Sequence, residues 1–188
     1  MYTYTPKRDN KTVIVICSLL FVTAAVCYIL SADFIGLPYP FIWQIMTILI
    51  LVAGVQIATR YFVKSYTYVL SEGSTDTFTD EFNRIARLEE NGGVWFKIYE
   101  VSGKKSHAVG GFPVTGVVEL AHGGAKALKR YGEAKHSFNF CNNLFPKEAC
   151  YTALVILNGE MISISFEADG TVLNYFKRGK KNDNEEAV

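Results

Sequence analysis

Two long uncharged apolar runs dominate the first third of the chain. From Thr12 to Ser31 the sequence reads TVIVICSLLFVTAAVCYILS, and from Phe41 to Thr59 it reads FIWQIMTILILVAGVQIAT. At about 1.5 Å of rise per residue, each run as a helix reaches roughly 30 Å, the thickness of a bilayer's hydrocarbon core. Pro40 sits just ahead of the second run, where a helix has no use for an amide donor. The connector Ala32–Pro40 carries Asp33, Gly36, Pro38 and Pro40, breaker residues in a segment short enough to force an antiparallel hairpin. Tyr39 and Trp43 fall where an interfacial aromatic belt is expected. Lys7, Arg8 and Lys11 precede the first run and Arg60 and Lys64 follow the second, while the connector has no Lys or Arg. That asymmetry predicts a multi-pass protein of the cell membrane with both termini cytoplasmic. The competing reading is a cleaved signal peptide ending near Ala32, which would leave one span of inverted orientation. Reporter fusions at residue 35 and at the C-terminus separate the two.

Beyond Arg60 the periodicity changes. RYFVKSYTYVLS (60–71) is rich in aromatic and β-branched residues and predicts a strand that starts directly at the end of the second span. Thr79–Glu90 has a capping Thr79, acidic Asp80 and Glu81 and apolar spacing that fit a helix, with a strand as the alternative. Val94–Val101 and His107–Leu120 flank Ser102-Gly103-Lys104-Lys105, a hairpin signal, and Gly110, Gly111 and Pro113 predict a bulge or an edge in the returning strand. Gly123–Lys135 reads as a loop with a short helical turn. Ser137–Leu144, Tyr151–Leu157 and Met161–Glu167 read as strands, the last two joined by the tight turn Asn158-Gly159. In the last strand Ile162, Ile164 and Phe166 alternate with Ser163, Ser165 and Glu167, which predicts one buried and one wet face. Asp169–Arg178 places Val172, Leu173 and Phe176 on one stripe of a short amphipathic helix that Gly179 would stop.

Two spans, an immediate aromatic strand, the Ser-Gly-Lys-Lys hairpin and the closing unit YTALVILNGEMISISFEADGTVLNYFKRG resemble the small membrane-anchored PH-like proteins of clostridial-type bacteria. The resemblance covers residues 60–179 by pattern, and it implies a bent, mainly antiparallel sheet closed at one end by a C-terminal helix. The expected fold class is thus a two-helix transmembrane hairpin followed by an α+β, PH-like domain. Its expected divisions are a cytoplasmic tail at 1–11, the hairpin at 12–59, the domain at 60–179 and a charged, disordered tail at 180–188.

Charge removes one function class. Of 19 Lys and Arg residues three precede residue 12, and of 18 Asp and Glu residues two precede Arg60, so the part from Arg60 onward is electrically balanced. A nucleic-acid binder draws most of its affinity from neutralising phosphates and needs a basic excess. The 188 residues hold four cysteines: Cys17 and Cys27 inside the first apolar run, and Cys141 and Cys150 without Cys-x-x-Cys spacing. In a cytoplasmic domain the latter pair is expected to be reduced. His136, Cys141, Cys150 and His122 are acceptable zinc ligand types, but their spacing does not support a metal site. Gly103-Lys104 is not a phosphate loop, because residue 98 is Ile and Lys105 stands in place of the hydroxyl residue. No Gly-x-Ser-x-Gly elbow occurs. The spans carry no Asp, Glu, Lys, Arg or His, which argues against an ion or proton path. Gln44, Gln56, Gly54 and Ala58 suit helix association, including a homo-oligomer through the spans.

The expected function is therefore non-catalytic, with no cofactor and no metal. Lys104 and Lys105 at the hairpin tip, with Lys126, Lys129 and Arg130 in the following loop, are the candidate contacts to anionic lipid headgroups or a protein partner. The alternatives are an accessory subunit of a larger membrane complex and, less well supported, an enzyme on membrane substrates that uses Cys141 or Cys150 as nucleophile.

Overall fold

The computed structural model describes all residues except 33–38, 73–92, 124–133, 146–148, 158 and 186–188. The helix or strand expected at Thr79–Glu90 and most of the loop expected at Gly123–Lys135 lie outside the described residues. The chain folds as two units: Arg8–Ser65, and a β-rich unit made of Met1–Lys7 with Tyr66–Val188.

In the first unit, the two apolar runs form helices α1 (Asn10–Leu30) and α2 (Pro40–Ala58), which pack on each other. Asp9 caps α1 by accepting from the Lys11 amide at 3.1 Å. Gly54 lies at the seam, where a Cβ added to it would come 3.8 Å from Leu20 of α1. Thr23 and Thr47 donate back to the carbonyls of Leu19 and Trp43, so their hydroxyls are satisfied within the helices. Outside the seam both helices are apolar and open: Val15 is 66% exposed, Leu19 65% and Ile48 60%. Helix α2 runs on through a π-helical turn, Thr59–Val63, in which the Lys64 amide donates to the Thr59 carbonyl. The strand expected from Arg60 therefore starts at Lys64. Continuing a helix needs no new nucleus, and the Arg8 guanidinium donates to the Phe62 carbonyl at 3.0 Å, satisfying an acceptor at the helix end.

The β-rich unit contains two four-stranded sheets. The first has the order β1 (Tyr2–Tyr4), β2 (Lys64–Glu72), β3 (Val94–Ser102), β4 (Lys105–Pro113). The N-terminal residues, expected as a tail, are thus an edge strand, with Thr3 opposite Val69. The second sheet has the order β5 (Val117–His122), β7 (Cys150–Leu157), β8 (Glu160–Glu167), β6 (His136–Asn139). All described pairings are antiparallel except β6 with β8, which run parallel. The single strand expected over His107–Leu120 is two strands. Pro113 ends β4, a 3-10 turn at Val114–Gly116 follows, and β5 joins the other sheet. The expected bulge is present: Ile98 faces Gly110 while Tyr99 faces Ala108, so Val109 is the extra residue.

Helix α3 (Gly170–Glu185) closes the unit. Asp169 caps it, accepting from the Val172 amide at 2.8 Å, and takes the Tyr2 hydroxyl at 2.6 Å on its other oxygen. The helix passes through Gly179, so the backbone up to Glu185 is helical where a stop and a disordered tail were expected. Both sheets and α3 share one core. Phe96 lies at its centre, with ring centroids of Phe166 at 4.6 Å, Phe112 at 5.2 Å, and Tyr68 and Phe176 each at 5.4 Å.

Candidate functional site

The polar face of the second sheet is not wet. Cys150 pairs with Glu167, Thr152 with Ser165 and Leu154 with Ser163, which places these six on one face of β7 and β8, opposite the core-facing Phe166, Ile164 and Ile162. Ser163, Ser165 and Glu167 are all buried, Glu167 to 1% exposure. Small hydroxyls satisfy one another along this face. Ser163 donates to Ser137 at 3.0 Å, Ser165 and Thr152 share a hydrogen bond of 2.9 Å, and Thr152 also donates to the Gly123 carbonyl at 2.8 Å. Because every hydroxyl has a partner, the face can be buried without the penalty of an unpaired polar group.

At the Glu167 end this face meets the segment Phe140–Asn143, which leaves β6 after Asn139. The segment was expected to extend the strand to Leu144. It turns away because the Asn139 side chain accepts the Cys141 amide at 3.0 Å, a local bond that competes with a ladder. Asn142 then grips Tyr66 on both sides, accepting from its amide at 2.5 Å and donating to its carbonyl at 2.8 Å. Asn143 donates to Glu167 through its amide at 2.8 Å and its side chain at 3.0 Å, and that side chain also donates to the Lys7 carbonyl at 3.0 Å. Lys7 is the last residue of the β-rich unit before the helices and Tyr66 the first after them. Two neighbouring asparagines therefore clasp both chain crossings into this unit.

Burial pushes the Glu167 carboxyl above its ordinary value, and the hydrogen bonds from Asn143 and Asn142 partly oppose it. Tyr68 is buried beside it, donating to the Phe140 carbonyl at 3.0 Å and accepting from the Glu167 amide at 3.1 Å. Desolvation raises that phenol well above 10.0, so it remains a donor.

Cys141 and Cys150, far from any sequence motif, are brought together with their sulfurs 3.9 Å apart, both buried. A hydrogen bond from Cys141 lowers the Cys150 thiol to about 7, helped by His122 and opposed by burial and by Glu167. His136 does not join them, since it faces Ile162 at the other end of β8, with its ring nitrogen 3.7 Å from Glu160. Sequence spacing could not reveal the thiol pair, because parallel pairing of β6 with β8 is what carries Cys141 to the start of β7.

Of the basic residues expected to make contacts, Lys104 and Lys105 are exposed at the β3–β4 hairpin, where Gly103 takes the left-handed conformation (φ +60°) that the tight turn requires. Lys126, Lys129 and Arg130 lie outside the described residues. A basic residue expected only to set the orientation of the spans also makes a contact. Arg8 holds the Phe62 carbonyl with one nitrogen, while its Nε and Nη2 are buried without a partner among the described residues. Burial and the neighbouring Arg60 lower its pKa.

No protein-family model, curated protein or solved structure matches the chain.

Proposed function

We propose that the protein is a membrane-tethered, non-catalytic binding module of PH-like type at the cytoplasmic face, which engages anionic headgroups or an acidic partner through the β3–β4 hairpin. The observation that carries the reading is the adjacent, exposed pair Lys104 and Lys105 at a glycine-shaped hairpin tip. Each lysine close to an anionic surface contributes about 1 kcal/mol.

Tethering is supported by the helices. A core helix of a soluble protein is mostly buried, whereas only 22% of the most apolar window of α1 and 11% of that of α2 are buried. Such helices, apolar on every side, suit a hydrocarbon solvent. The pairing of β1 with β2 supports two crossings. Strands on either side of the helical hairpin are hydrogen-bonded to each other, which favours a chain that returns to the side from which it left. The Lys and Arg distribution favours the cytoplasm for that side. The PH-like assignment draws on the largely antiparallel sheets and on the closing helix, whose Val172 and Phe176 enter the core. The parallel β6–β8 pair departs from a simple meander.

The test is native mass spectrometry of the full chain in mild detergent, titrated with phosphatidylserine and with phosphatidylcholine. The variant Lys104→Gln/Lys105→Gln is expected to lose up to about 30-fold in affinity for the anionic lipid, the equivalent of about 2 kcal/mol, and none for the neutral lipid. Equal affinity of variant and parent for phosphatidylserine overturns the headgroup reading.

A further inference from the structure

The thiol pair where β7 begins stands on observations separate from the lipid reading. Cys150 opens β7 and is held from both sides: its carbonyl accepts the Gly123 amide at 2.8 Å, and the adjacent Ala149 carbonyl accepts the Ala168 amide at 2.9 Å. Cys141 is held by the turn described above, and the preceding Phe140 amide donates to the Ser165 carbonyl at 2.9 Å. Two thiols on separately anchored backbone thus face each other at 3.9 Å. A disulfide has its sulfurs about 2.05 Å apart, so bonding needs a closure of about 1.9 Å, a distance on the scale of side-chain rotation.

We propose that Cys141 and Cys150 form a redox site, a buried dithiol that hydrogen peroxide converts to an intramolecular disulfide and that a dithiol reductant restores. Burial of both sulfurs selects a small oxidant over a bulky disulfide such as oxidised glutathione. The Cys150 thiolate attacks one peroxide oxygen. The O–O bond breaks, an S–O bond forms, and the departing hydroxide leaves as water after taking a proton. The Cys141 sulfur then attacks the Cys150 sulfenic acid. The S–S bond forms, the S–O bond breaks, and the hydroxide released takes the Cys141 proton. Two thiols are oxidised by two electrons, and one peroxide is reduced to two waters.

The site is placed to act on the clasp. Cys141 is covalently next to Asn142, which holds Tyr66, and two residues from Asn143, which holds Lys7 and Glu167. Drawing Cys141 toward β7 therefore pulls on the bonds at both chain crossings. Oxidation adjusts how firmly the β-rich unit holds the segments that lead to the helices.

The experiment uses the full chain in detergent, treated with hydrogen peroxide, capped with N-ethylmaleimide and digested with trypsin without reduction. Cleavage after Lys147 puts the two cysteines in separate peptides, His136–Lys147 and Glu148–Lys177, while Cys17 and Cys27 fall in a third. The expected product is the first two peptides linked, lighter than their sum by two hydrogens, and reverting with dithiothreitol. Its formation should be faster in the folded protein than in the chain unfolded in urea, and should slow as pH falls through about 7. Recovery of both peptides capped, or of Cys150 as sulfinic acid beside a capped Cys141, overturns the proposal. So does linkage no faster folded than unfolded.

Discussion

Glu167 shows how a single residue departs from the reading its neighbours suggest. It ends an alternating strand as its third polar residue, yet it is the most buried of them and the acceptor for the Asn143 clasp. Its folded-state pKa lies above the ordinary 4.5, so over the intervening window the folded protein holds a proton that the unfolded chain has lost. The folded state is then favoured most below 4.5 as far as this group is concerned, and stability falls as pH rises through the raised value. Glu167→Gln should remove that fall while keeping one amide oxygen, enough to accept one of the two Asn143 bonds. Unfolding midpoints followed by emission of the buried Trp95 at several pH values above 4 check this. A parent and variant with parallel pH profiles would contradict the burial effect. Cys150 acts in the opposite sense. Its pKa is depressed from 9.0 to about 7, so its contribution to stability is complete above 9 and is lost as pH falls through about 7. The two groups therefore act on the profile with opposite sign.

At the scale of elements, α3 enters the core through Val172 and Phe176. Phe176 lies 5.4 Å from Phe96, 5.7 Å from Phe166 and 6.1 Å from Phe112 by ring centroid, touching strands of both sheets. Phe176→Ala should cost about 3–5 kcal/mol, a large share of a typical domain's stability. Loss of native Trp95 emission at lower denaturant concentration is the readout, and an unchanged midpoint would remove α3 from the core. The stripe that places Val172 and Phe176 inward was legible in the sequence, as were the β3–β4 and β7–β8 hairpins, because period and turn chemistry are local. The extent of α3 was not, since one glycine at position 179 costs a helix only about 1 kcal/mol relative to alanine and does not by itself stop it. Likewise, the aromatic residues after Thr59 have strand propensity, but an existing helix was extended through Val63.

For the whole molecule, the pairing of β1 with β2 leads to a topology prediction. Reporter fusions should place residue 35 outside and the C-terminus in the cytoplasm, and a cytoplasmic signal at residue 35 would overturn the two-pass reading. The same pairing separates what each level of description decided. The two apolar helices, the balanced charge after Arg60, most strands and the Lys104–Lys105 hairpin tip follow from residue order alone, because solvent preference, periodicity and turn geometry act over a few neighbours. Tertiary structure alone recruited Tyr2–Tyr4 as an edge strand across more than sixty residues of intervening chain, set β6 parallel to β8, and buried the serine face of β8. Alternation along a strand tells which face is polar. Whether that face meets water or other polar groups depends on what the rest of the chain brings to it, and here Thr152, Ser137, Asn143 and a second thiol were brought from distant positions.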